Sequence, residues 1–173
     1  DQIVLAAKAG GLRGIVLVAK HHDGFCLWPT KTTDYNITKS PFRSGKGDLV
    51  REVADAARKH GLKFGVYCSP WDRNNAQYGT PEYLKIYREQ LRELYTNYGD
   101  LFMSWHDGAN GGDGYYGGAR EKRSIDNTTY YQWDSTWTNY TRKLQPNANI
   151  FSDIGWDVRW AGNEDGSLNP TSW

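Results

Sequence analysis

The sequence predicts an α/β fold made of consecutive parallel strand–helix units, a (β/α)8-like (TIM) barrel of which this chain supplies about four units. Three observations predict it. Apolar, β-type runs begin near residues 14, 63, 101 and 149 and alternate strictly with helix-type stretches, a pattern that implies parallel strands joined by crossovers. Each of the four runs delivers a polar cluster at its C-terminal end, as expected where strand ends converge on one mouth. Neither GxGxxG nor a P-loop follows any of them, so a nucleotide-binding, doubly wound sheet lacks its fingerprint.

The elements follow in order. Residues 1–9 have helix-forming composition and stop at Gly10-Gly11. The continuous run Gly14-Ile15-Val16-Leu17-Val18-Ala19 is a strand buried on both faces, and it leads into Lys20-His21-His22-Asp23-Gly24. Asp48 is a helix cap for Leu49, Val50, Val53, Ala54 and Ala57, which keep the helical period as far as Gly61. The strand Lys63 to Cys68 delivers Ser69-Pro70-Trp71-Asp72-Arg73-Asn74. Thr80-Pro81 opens the next helix as cap and first-turn proline, with Leu84, Tyr87, Leu91, Leu94, Tyr95 and Tyr98 on one face. Leu101 to Trp105 is the third strand and ends at His106-Asp107. Residues 108–127 read as a long Gly/Tyr loop, too long for a simple connection. Tyr130, Trp133, Trp137, Tyr140 and Leu144 recur at helical spacing, residues 149–152 form the fourth strand and deliver Asp153, and the tail has loop composition.

Composition narrows the function. Net charge is +1, so electrostatics gives no case for nucleic acid or an anionic membrane as partner. Eight Trp and twelve Tyr fill a core, and they equally suit a concave site in which ring faces pack on sugar C–H faces. Cys26 and Cys68 have no metal-type spacing and sit in apolar strand context, which predicts buried free thiols. His21, His22, Asp23, His106 and Asp107 offer N and O ligands, but no HExxH or similar spacing joins them, so no metal is assigned.

Three blocks carry a family resemblance. Ala19-Lys20-His21-His22-Asp23-Gly24-Phe25-Cys26-Leu27-Trp28, then Gly65-Val66-Tyr67-Cys68-Ser69-Pro70-Trp71-Asp72, then Trp105-His106-Asp107-Gly108-Ala109-Asn110-Gly111 resemble the α-L-fucosidases of glycoside hydrolase family 29. The segment Trp160 to Gly166 resembles the branch acting on α-1,3/1,4-linked fucose. The resemblance implies a retaining exo-glycosidase that needs no cofactor and acts on fucosylated oligosaccharides or glycoconjugates, secreted or periplasmic. It puts Asp107 at the nucleophile's position and Glu164 at the acid/base, a pair that retaining chemistry holds about 5 to 5.5 Å apart. It makes His21 and His22 the residues that hold sugar hydroxyls. Trp28 and Trp71 are platforms for the sugar, with core packing as the competing explanation for both, and His106 joins the substrate-contacting set.

Two features depart from the family pattern. The block before the nucleophile is commonly Trp-Phe-Asp-Gly, whereas His106 stands here, and an imidazole beside a carboxylate lowers its pKa when protonated and orients it when hydrogen-bonded. The family's first barrel strand has no counterpart before Asp1, and its later strands have none after Trp173. Residues 1–173 are therefore expected to be part of a catalytic barrel domain in a longer chain. The rival expectation is a catalytically poor fucose- or carbohydrate-binding protein on the same scaffold.

Overall fold

The computed structural model describes the chain except residues 108–110, 118, 153, 161–166 and 168–173. Its centre is a sheet of parallel strands in the order β1 (Gly14–Lys20), β2 (Lys63–Cys68), β3 (Met103–His106), β6 (Asn149–Ser152), β7 (Val158–Arg159). Strand order follows chain order with no reversal. A doubly wound sheet reverses at a switch point, so this is the arrangement of a barrel sector.

The helices α1 (Gln2–Ala9), α2 (Leu49–Lys59) and α3 (Pro81–Asn97) form as the sequence predicts. Asp48 caps α2 by accepting from the Arg51 backbone N–H at 2.8 Å. On α2, the small residues Ala54 and Ala57 bury completely beside Val50, which lets the helix lie close to the sheet. On α3, the apolar stripe from Leu84 to Tyr98 is buried in the same core. A third helical layer comes from α4 (Asn127–Tyr131) and α5 (Trp133–Thr136), separated by Gln132 in the left-handed region and followed by wider i→i+5 turns over Trp137–Arg142. Trp133 and Trp137 stack at 5.0 Å against the core.

Register sorts the strand residues into two faces. Val66, Ser104 and Ile150 are cross-strand neighbours and are buried beneath the helices. Val18, Tyr67, Trp105 and Phe151 are neighbours on the opposite face, with ring centroids 5.1 Å apart for Tyr67–Trp105 and 4.9 Å for Trp105–Phe151. On β3 this face leads toward Asp107.

Two expectations are corrected. The stretch expected as a long loop contains an antiparallel hairpin, β4 (Gly111–Tyr116) with β5 (Ala119–Ser124), in which Tyr116 pairs with Ala119. The Gly117-Gly118 dipeptide between them is the signal of a two-residue hairpin turn, and Gly117 has φ +57. The tail expected as loop throughout adds the short strand β7, whose two residues pair with Phe151 and Ser152. Among the described residues no helix is long and apolar enough to cross a membrane.

Candidate active site

The site lies at the C-terminal ends of β1, β2 and β3. Strand alternation turns Trp105 and Asp107 to the inner face and His106 to the helices. Asp107 follows β3 directly, and its side chain is about one-third exposed. From the neighbouring strand, the Tyr67 hydroxyl donates to Asp107 Oδ2 at 2.5 Å. Burial first, and then this bond, hold the Tyr67 phenol well above its ordinary pKa, so it stays protonated and keeps donating.

On β1 the alternation breaks. The register slips between Val18 and Lys20, so that Ala19 and Lys20 both bury on the helix side and the chain turns at His21. Gly24 closes that turn by donating to the His21 carbonyl at 3.0 Å. Adjacent strand residues would point to opposite faces; the slip and the turn bring both histidines to the mouth. The His21 ring stacks on Tyr67 with centroids 5.7 Å apart and meets the His22 ring at 4.1 Å.

His22 joins the loop after β2 to Asp107. Its Nδ1 is 2.6 Å from Ser69 Oγ, and its Nε2 is 3.7 Å from Asp107 Oδ2. Burial is the largest influence lowering its pKa, and His21 adds to it; Asp107 pulls the other way without reversing the direction. His22 is therefore neutral near pH 7, and its contact with Asp107 is polar positioning, not an ion pair. Ser69 Oγ also donates to the Trp71 carbonyl at 3.0 Å and accepts from the Trp71 N–H at 3.1 Å, so the same hydroxyl ties the His22 ring to the loop after β2.

A cleft of about 580 Å³ opens beside these groups, lined by His21, His22, Tyr35, Trp71, Arg73 and Asn74 among others. The Trp71 ring lies 4.8 Å from that of His22, with the Arg73 guanidinium 5.8 Å from its own centroid. A half-exposed indole next to two imidazoles and a carboxylate suits a polar ring with one apolar face. Donor atoms of His21, His22 and Asp107 all lie within 4.8 Å of one another, the one such three-residue group among the described residues. Within this group His22 Nδ1 is engaged by Ser69 and Asp107 Oδ2 by Tyr67.

Two expected substrate contacts are corrected. His106 has no exposed surface, and its Nδ1 meets the Tyr87 hydroxyl at 2.8 Å, with Nε2 3.2 Å from Ser104 Oγ and 3.4 Å from the Tyr95 hydroxyl. Burial lowers its pKa to about 3, so it is neutral and on the far side of the strand from Asp107. Trp28 is 1% exposed and donates its Nε1 to Glu93 on α3 at 2.8 Å, so packing, not sugar contact, accounts for it. Glu164 lies outside the described residues, as does Asp153. Tyr67 and Ser69 were not legible as site residues from type alone. The available signal was positional: residues 67 and 69 are two apart at a strand's end, beside the strand that delivers Asp107.

Comparison with known proteins gives consistent matches. A family model described as Alpha-L-fucosidase matches residues 1–165. Alpha-L-fucosidase 1 of Arabidopsis thaliana is 46% identical over 174 residues, covering 100% of this chain and 32% of the relative. A solved glycoside hydrolase 29 family member from an unknown rumen bacterium superposes with TM-score 0.90 at 56% identity, covering 95% of this chain and 30% of that one. Alpha-L-fucosidase AlfC from Lactobacillus casei, in complex with α-L-fucose product, superposes with TM-score 0.67 at 27% identity over 89% of this chain and 50% of its own. The chain spans about a third of the length of the curated relatives that it matches over its whole length or nearly so.

Proposed function

We propose, from the premise that this chain belongs to the α-L-fucosidase family, that it carries the nucleophile half of an active site hydrolysing terminal α-L-fucosyl linkages with retention. The observation that carries this reading is Asp107 at the end of β3, one-third exposed and held by the Tyr67 hydroxyl at 2.5 Å beside a neutral His22. Such a carboxylate is oriented and open to a reacting carbon, which is what a nucleophile in glycoside hydrolysis requires.

In the first step an Asp107 oxygen bonds to the anomeric carbon as the bond to the leaving oxygen breaks. Glu164, as acid, gives that oxygen its proton. In the second step Glu164, now the base, takes a proton from water, the hydroxide attacks the same carbon, and Asp107 leaves. His21 and His22 present ring nitrogens to sugar hydroxyls, and Trp71 packs on the sugar's apolar face. Branched α-1,3/1,4-linked fucose is the preferred substrate in this reading, through the Trp160 to Gly166 segment. Residence outside the cytoplasm, secreted or periplasmic, belongs to the same reading and is tested by fractionating the source cells.

Asp107→Ala tests the proposal. Turnover of an aryl α-L-fucoside is expected to fall by roughly a thousandfold or more, and added azide restores it with formation of the β-configured fucosyl azide. Glu164→Ala with azide gives the α-configured product instead. Chelator leaves the wild-type rate unchanged. Full activity in Asp107→Ala overturns the assignment, and binding of fucose with no turnover by the wild type supports the binding-only rival. Relative rates on α-1,2-linked and α-1,3/1,4-linked fucosyl oligosaccharides test the linkage.

A further inference from the structure

The first residues past β1 and β2 carry His21, His22, Trp71 and Arg73 outside any helix or strand. Beneath them is Lys20, a lysine with no exposed surface. Its Nζ donates to Gln90 Oε1 at 2.7 Å and to the Tyr83 hydroxyl at 3.0 Å, both on α3, and stands 3.5 Å from Oδ2 of the buried Asp72. The rings of Tyr83 and Tyr87 each lie 5.5 Å from the ammonium.

Asp72 is equally committed. Its Oδ1 accepts from the backbone N–H groups of Asn74 at 3.1 Å and Asn75 at 2.9 Å, shaping the β2 exit loop. The β1 exit loop lies directly against it: Gly24 has φ +82, and a methyl group there would sit 2.2 Å from Asp72 Oδ1. Backbone bonds run between the same two segments, from Ser69 N–H to the Lys20 carbonyl at 2.9 Å and from Arg73 N–H to the His22 carbonyl at 2.8 Å.

A buried ion pair is a poor way to gain stability, because apolar side chains of similar volume usually do as well or better. What it supplies is a fixed distance and direction. We infer that Lys20 and Asp72 are a positioning pair, which locks the β1 and β2 exit loops in one mutual register and so holds His22 against Ser69 and Asp107, and His21 on Tyr67. Neither residue reaches the cleft's reacting atoms. The inference rests on the reading of His21 and His22 as the groups that hold the sugar.

The test uses Lys20→Met, Asp72→Asn and the double variant Lys20→Met/Asp72→Asn, each assayed at a temperature at which it is fully folded. The double variant leaves no unpaired buried charge, so it decides the question if a single variant fails to fold. The dissociation constant for L-fucose and KM for the aryl fucoside are expected to rise roughly tenfold or more in the double variant, since a displacement of about 1 Å suffices for losses of that order. The value of kcat stays within a few-fold, because Asp107 and Tyr67 are held by strands. Wild-type affinity and KM in the folded double variant overturn the inference, as does a fall in kcat at unchanged KM. Should the wild type neither bind fucose nor hydrolyse the fucoside, the fucosidase reading falls. The pair is then judged by the ring proton and carbon resonances of His21 and His22: displaced in the double variant if it positions them, and unmoved if it does not.

Discussion

His106 and Asp107 are adjacent in sequence and opposite in environment, and the cause is the two-residue period of a strand. Asp107 faces the mouth; His106 is buried among Tyr87, Ser104 and Tyr95 with its pKa lowered to about 3 by burial. Replacing it with Phe removes these bonds, but the Tyr87 hydroxyl keeps the Cys68 carbonyl at 3.1 Å and the Tyr95 hydroxyl keeps Ser104 and Thr141 at 2.7 and 2.9 Å. His106→Phe should therefore cost about 1 to 2 kcal/mol at pH 7.5 while leaving kcat/KM within about threefold. The pH dependence adds a second signature. Below about 6.5 the unfolded chain protonates His106 and the folded chain does not, so its contribution destabilises the fold as pH falls from about 6.5 toward 3, by about 1.4 kcal/mol per pH unit. The Phe variant lacks that slope, and urea melts at pH 7.5 and pH 5 should show its deficit shrinking or reversing at the lower pH. A deficit that grows in acid would mean that His106 is protonated in the fold. Residue types had made His106 a sugar contact, because an imidazole beside a nucleophile suggests chemistry. Its facing, given by strict alternation from the inward Trp105, is what the type could not say. The same reasoning separates Trp28, bonded to Glu93, from Trp71, which stays at the cleft.

At the scale of elements, the polar joints between segments are as selective as the apolar stripes. Gln145 is 6% exposed, and its amide closes three backbone groups at once. Oε1 accepts from Leu101 N–H at 2.9 Å, and Nε2 donates to the Tyr95 carbonyl at 2.7 Å and the Gly99 carbonyl at 3.0 Å. It thus ties the end of α3 and the entry to β3 to the helical segment before β6, which fixes how β3 emerges and where Asp107 lands. Gln145→Leu keeps the volume and strands those groups, and should destabilise the fold by roughly 2 to 4 kcal/mol, measured by urea denaturation. A loss below about 0.5 kcal/mol would show that the joint is made by packing alone. The helices and main strands were legible because their apolar periods are long and their start signals, the Asp48 cap and the first-turn Pro81, are strong. Gln145 looked like a helix end only, since a side chain that serves backbone groups 44 to 50 residues away leaves no local pattern. The β4–β5 hairpin was missed for the opposite reason: a Gly/Tyr composition hid a turn signal that the Gly117-Gly118 dipeptide did carry.

For the molecule as a whole, the decisive feature is a sheet covered on one face. Helices bury Val66, Ser104 and Ile150, whereas on the inner face Val18 is 41% exposed and Trp105 and Phe151 are only half-buried. Strand order without reversal puts every described helix–sheet contact of the core on one side, as in a barrel, where the inner face is filled by side chains from strands across the axis. Among the described residues five parallel strands do not close that circle, and β1 and β7 stand at the two edges. The 173-residue chain produced by itself should consequently expose an apolar strip on the inner face, with Val18 on one side and Trp105 and Phe151 on the other of the buried Tyr67. Sedimentation velocity over a range of concentrations is expected to show a weight-average mass that climbs with concentration, together with binding of an apolar fluorescent dye. Val18→Lys, a charge set on the β1 edge and on the exposed face, should lower both without disturbing the helix-side core. A monodisperse monomer that binds no dye would mean that another part of the same chain covers the strip, and the open-sector reading of the sheet would fall with it.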